Sequence, residues 1–228
     1  MEEEVRAFTA SRNRLKSGVY WSTMYALACD DPKSERDERD RYFGLALAQF
    51  ENVTDDENES PQMRSMAAES AFEVLSHRLI EPGLSVDKAI DEAEENLRKF
   101  QPHLDECEPC YPSSGDFFFH LAFKYRLLGG NKEKEQLLLR RAIDRFETST
   151  ETARSHNYFQ AHFLLGGILA SEGDQSATHH LTTALSLLDN MPEGLAGEQA
   201  GAMRQLIKRT LEGLERSAKL PQQEGRVQ

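Results

Sequence analysis

The 228-residue chain has little cysteine, tryptophan or proline: three, one and eight residues respectively. Three cysteines, an odd number in a chain this long, do not make the disulfide framework of a small secreted domain. No apolar run approaches the ~18 residues of a membrane span. The opening MEEEVRAF has neither the basic start nor the apolar stretch of a signal peptide. A cytoplasmic chain away from membranes is therefore expected. Strand signals are scarce as well, because Val, Ile and Thr are scattered and no stretch alternates with period two.

Positive charge is the other shortage. Lys and Arg number 27 against 39 Asp and Glu, a formal net charge of −12. That balance excludes a general nucleic-acid binder, which needs clustered Lys and Arg to displace counterions. The excess is also uneven: residues 1–110 hold 25 acidic and 13 basic side chains, residues 111–228 hold 14 of each. Much of it lies in DDPKSERDERD and ENVTDDENES. Solvated loops and helix starts are the plain reading; an acidic front that attracts a basic partner is the functional one.

Local enzyme signatures are missing. LLGGNKEKE has glycines and a lysine but not the Gly-x4-Gly-Lys-Ser/Thr order that cradles phosphates. No His-Glu-x2-His occurs, and no Glu-x2-His pair of the di-iron kind. A non-catalytic protein is expected; the alternative is a helical enzyme whose site is assembled from distant residues.

Helical periodicity is what the chain does have. Val86, Ala89, Ile90, Ala93, Leu97 and Phe100 fall three and four apart, as do Leu139, Ala142, Ile143 and Phe146. Punctuation then predicts about nine helices, near 3–29, 35–53, 61–80, 85–100, 114–128, 132–149, 155–172, 175–189 and 195–217. Ser60-Pro61, Ser85 and Ser114 read as caps or first-turn residues; Pro82-Gly83, Gly129-Gly130 and Gly173 read as stops. Short turns favour antiparallel hairpins. The reading is an all-α single domain over 1–217, with an acidic half (1–110), a more regular half (111–217) and a flexible tail (218–228).

Small residues mark close crossings. AHFLLGGILASEGDQSATHHLTTALSLL, residues 161–188, uses Gly166, Gly167, Ala170, Ala177 and Ala184 where larger side chains would suit a helix. Leu165-Gly166 with Leu169, a Gly173-Asp174 turn, then Ala177, Leu181 and Ala184 resemble a tetratricopeptide repeat. The preceding hairpin repeats the theme with Phe118, Leu121-Ala122, Tyr125, Gly129-Gly130-Asn131, Leu139 and Ala142. Its departures are a Glu135 where a small residue belongs, turns one residue off, and a recurrence of about 42 residues rather than 34. The resemblance is best over 114–189 and implies stacked hairpins in a right-handed α-solenoid. SGDFFFHLAF and the following paired helices are also similar to the later half of 14-3-3 proteins, which have nine antiparallel helices and an acidic balance. Phe119 and His120 stand where that family has the Arg and Tyr that hold phosphate, so phosphopeptide recognition by that mechanism is not implied.

Two segments carry candidate sites. Phe117, Phe118 and Phe119 differ by ~100° each on a helix and cannot share one stripe. Either this helix is buried on several sides, or part of the band lines a groove for a partner's helix or peptide. The first helices of repeat hairpins line such grooves, which nominates Phe119, Phe123, Arg126, Phe163 and Gly167 as partner-binding. The family's clamp for an acidic C-terminal peptide uses Lys and Asn, replaced here by Phe119 and Phe123. HLDECEPC supplies His103, Cys107 and Cys110, three ligands for Zn with a fourth to come from Asp105, Glu108, His120 or a remote histidine. A redox pair or two ordinary loop cysteines are the other readings. Cys29 is expected in the core. His179-His180 point ~100° apart and lack the spacing that would put both on one metal.

Overall fold

The computed structural model describes residues 2–104, 113–129, 131–148, 156–191 and 200–219. All the regular structure among them is helical. Nine helices are described: α1 Glu2–Asp30, α2 Arg36–Thr54, α3 Pro61–Ile80, α4 Val86–Leu104, α5 Ser113–Leu127, α6 Lys132–Glu147, α7 His156–Ser171, α8 Ala177–Asn190 and α9 Ala200–Lys219. Capping follows the sequence. Ser60 Oγ accepts from Met63 N with Pro61 behind it, Ser85 Oγ from Lys88 N and Asn131 Oδ1 from Lys134 N, each satisfying a donor the helix start leaves unpaired. Gly129 and Gly173 take φ of +65° and +74° just past the ends of α5 and α7, a conformation that costs glycine least. α4 continues four residues beyond the expected Phe100, through Pro102. Its last turn is anchored by Leu104, which is buried.

The chain divides into two compact units, 1–151 and 152–228. In the first, α3 packs against α1, α2, α4 and α5, which beyond its first two residues leaves only a narrow stripe of α3 (Met66, Glu73, His77, Ile80) exposed. Pairs between α3 and α5 advance in step: Glu69 with Ser114, Phe72 with Phe117 (ring centroids 4.6 Å) and Ser76 with His120 (2.7 Å). Alternate helices therefore run parallel. The same holds for α4 and α6, where Glu94 meets Lys134 (2.9 Å) and Gln101 meets Arg141 (3.2 Å). Phe72 lies against Phe100, Phe117 and Phe118 at the centre of this unit. Burying one such side chain is worth about 1.5–3 kcal/mol. Gly115 lets Phe146 close on the start of α5: a Cβ there would stand 2.8 Å from the ring.

In the second unit α8 packs against α7 and α9. Gly166 is the close crossing. A Cβ at that position would meet Leu181 Cγ at 2.8 Å and the Leu181 backbone nitrogen at 3.2 Å. Gly167, its neighbour, has open space where a side chain would go. α9 turns Ala200, Ile207 and Leu214, seven residues apart, inward.

Candidate functional site

α5 carries the phenylalanine run, and the run is core. Phe117, Phe118 and Phe119 are all buried, Phe119 to 3% exposure. Neighbours on several sides accommodate the ~100° steps between them. One turn later the surroundings end. Phe123 is 41% and Leu127 57% exposed. Since α3 and α5 run in step 44 to 45 residues apart, Lys124 stands level with Ile80, itself 55% exposed at the end of α3. Ile80, Phe123, Lys124 and Leu127 thus share the outer ends of two parallel helices.

Arg126 belongs to the same turn. Its Nη1 donates to Glu135 Oε1 at 3.1 Å, and Glu135 is buried. That ion pair gives the buried Glu135 carboxylate a partner across the α5–α6 turn. Tyr125 Oη donates to Glu94, which also pairs with Lys134. Below this turn Ser76 and His120 bridge α3 to α5. Burial, with His77 and Lys124 nearby, pushes His120 down to about 4, so its imidazole is neutral near pH 7. Ser76 sits inside a helix whose N–H groups are spent on helix bonds. Between the apolar contacts of the two helices the pair forms a polar rung.

Two charged networks in this unit escaped the sequence reading. Glu69 accepts from Ser114 N, Ser114 Oγ and Arg145; burial raises its carboxyl, opposed by Arg145. Arg78 is buried and contacts Glu81 and Asp40 (both 2.6 Å) and Glu92 (2.8 Å), with Phe43 under its guanidinium. Burial works against its charge, but the bonds to Glu92, Asp40 and Glu81 outweigh it and hold the group above its usual range. Tyr25 Oη donates to Glu81; burial, then that bond, keep it protonated. The only signal in the sequence was Glu69 and Arg78 on core-facing positions of α3 that otherwise hold small or apolar residues.

Phe163 and Gly167 belong to the second unit. Phe163 is half-buried and stacked on Phe159 at 6.1 Å, and Gly167 is exposed. The five nominated residues therefore fall on two units, Phe119, Phe123 and Arg126 on the first and Phe163 and Gly167 on the second. The same unit holds an unforeseen cluster. His162 of α7 is fully buried, its Nδ1 3.0 Å from His180 Nδ1, with His179 and Tyr158 rings at 6.3 and 4.8 Å. One ring of the His162–His180 pair must donate and the other accept. His162 Nε2 is buried with no hydrogen-bond partner among the described residues. Burial, then His180 and His179, push His162 down to about 4.

Among the described residues no group of three His, Cys, Asp or Glu is arranged to hold a metal. His103 is half-buried in the last turn of α4; Cys107 and Cys110 lie outside the described residues. Cys29 is half-buried, and burial raises its thiol. No described helix is long and apolar enough to cross a membrane. Comparison with protein-family profiles, curated proteins and solved structures gives no match.

Proposed function

We propose that the chain is a non-catalytic, cytoplasmic protein-binding adaptor or regulator, built on tetratricopeptide-like stacked hairpins as a right-handed α-solenoid. The observation that carries this reading is the exposure of Phe123 and Leu127 on α5, level with Ile80 on α3. A soluble surface rarely gathers large apolar side chains without use for them. The in-step pairs Glu69–Ser114 and Ser76–His120, with Glu94–Lys134 and Gln101–Arg141 on the other layer, support repeated hairpins. The partner is an apolar helix or extended segment that covers Phe123 and Leu127. A basic flank on that segment would be drawn by the acidic N-terminal half.

The test is affinity capture from the native host's lysate with wild type and with a Phe123→Glu/Leu127→Glu variant of unchanged helicity. A partner retained by wild type and lost by the folded variant supports the reading. Equal recovery by both moves the binding surface elsewhere.

A further inference from the structure

A cleft of about 370 Å³ opens in the first unit between α4 and α6, over α5. None of its residues belongs to the Phe123 face. Leu104 and Phe118 form a buried apolar floor. Arg141 forms one wall, held in place twice: Nη1 donates to Gln101 Oε1 at 3.2 Å, and the guanidinium carbon stands 5.8 Å from the centre of the Phe118 ring. A guanidinium has five N–H donors in a planar fork. Only one of Arg141's is spent on Gln101, and among the described residues no carboxylate pairs with it. Arg145, one turn on, is committed to Glu69 and to Ser114 Oγ. Gln101 accepts through its oxygen, so its amide NH2 remains available as a donor beside Arg141.

We infer that this cleft binds an organic monocarboxylate, its carboxylate on Arg141 and Gln101 and its apolar body on Phe118 and Leu104. The volume is at the lower end of small-ligand pockets, which combine an apolar lining with a few placed polar groups. Of the two arginines in the lining, Arg145 is paired with Glu69 and Arg141 is not paired with a carboxylate among the described residues, so a single negative charge matches the cleft. Asp144 stands in the lining, and the C-terminal end of α6 lies beside it at Thr148. Both oppose negative charge, and oppose a doubly charged anion such as phosphate more than a monocarboxylate. A free aryl carboxylate and the terminal carboxylate of an apolar-ended peptide share this chemistry.

The test titrates isotope-labelled protein with phenylacetate, and separately with phenylethanol, inorganic phosphate, and acetyl-Gly-Phe as free acid and as amide, following amide and arginine side-chain resonances. Saturable shifts at Leu104, Thr148 and the Arg141 side chain are expected with phenylacetate and not with phenylethanol. Affinity should fall at least tenfold in Arg141→Gln and less in Arg141→Lys, which keeps the charge but not the fork. A free-acid dipeptide that binds more tightly than phenylacetate assigns the ligand to a chain end; the reverse assigns it to a small molecule. Absence of saturable shifts, phosphate binding above phenylacetate, or unchanged affinity in both Arg141 variants overturns the inference. Should Arg141→Gln fail to fold, Arg141→Lys alone decides.

Discussion

Glu69 on α3 and Ser114 at the start of α5 are joined by two hydrogen bonds, the Ser114 N–H donating at 3.1 Å and its hydroxyl at 3.0 Å. A carboxylate on one helix thereby satisfies a donor at the start of another, and Arg145 of α6 balances its charge. Three helices meet on one buried anion. Removing the cation and leaving the anion buried is the costly change. Arg145→Ala should destabilise the protein by about 3–5 kcal/mol. The Glu69→Gln/Arg145→Met pair should cost less than that single change. Urea unfolding of the two variants against wild type measures both; equal losses would mean the network is not coupled.

Adjacent glycines give opposite predictions. Gly166→Ala places a methyl 2.8 Å from Leu181 Cγ and 3.2 Å from its backbone nitrogen, and should destabilise by about 1–3 kcal/mol. Gly167→Ala meets open space and should stabilise by about 0.5–1 kcal/mol, the helix preference of alanine over glycine. Thermal melts of the two variants should move in opposite directions.

Helix positions were largely legible, because caps and three-four spacing are local. Which side chains face solvent was less so. Three consecutive phenylalanines are compatible with a groove or with all-round burial, and only the packing of neighbours decides for burial at Phe119. Glu69–Arg145 and Arg78–Glu92 join different helices, 76 and 14 residues apart, so no local pattern announces which residues pair. His179-His180 was visible as a doublet; the partner that gives it meaning, His162, lies on the preceding helix.

The histidine cluster predicts acid sensitivity. His162 is held at about 4 in the folded protein against an ordinary 6.5. A base whose folded value is depressed adds stability that is complete above pH 6.5 and lost as pH falls towards 4, because the unfolded chain takes up the proton first. At pH 5 the loss from this group is at most about 2 kcal/mol. The groups facing it are His179 and His180 of α8 and Tyr158 of its own helix. His162→Gln should flatten the decline in urea midpoint between pH 7.5 and 5; an unchanged slope would assign the sensitivity elsewhere, first to His120, which is depressed in the same direction.

Phe119 and Phe123 separate folding from binding. Phe119→Ala empties a core position and should cost about 3–5 kcal/mol. Phe123→Ala, at 41% exposure, should cost under about 1 kcal/mol. Chemical denaturation checks both, and a large loss at Phe123 would make it a packing residue rather than part of a binding surface.

The most direct test of that surface puts a photo-crosslinking p-benzoylphenylalanine at position 123 and, as a control, at exposed Arg209 on α9. Irradiation in host lysate should give one dominant adduct at position 123 that excess unlabelled wild type competes away and position 209 does not yield. Identical adducts from both positions, or none that wild type displaces, would contradict a binding face at the ends of α3 and α5.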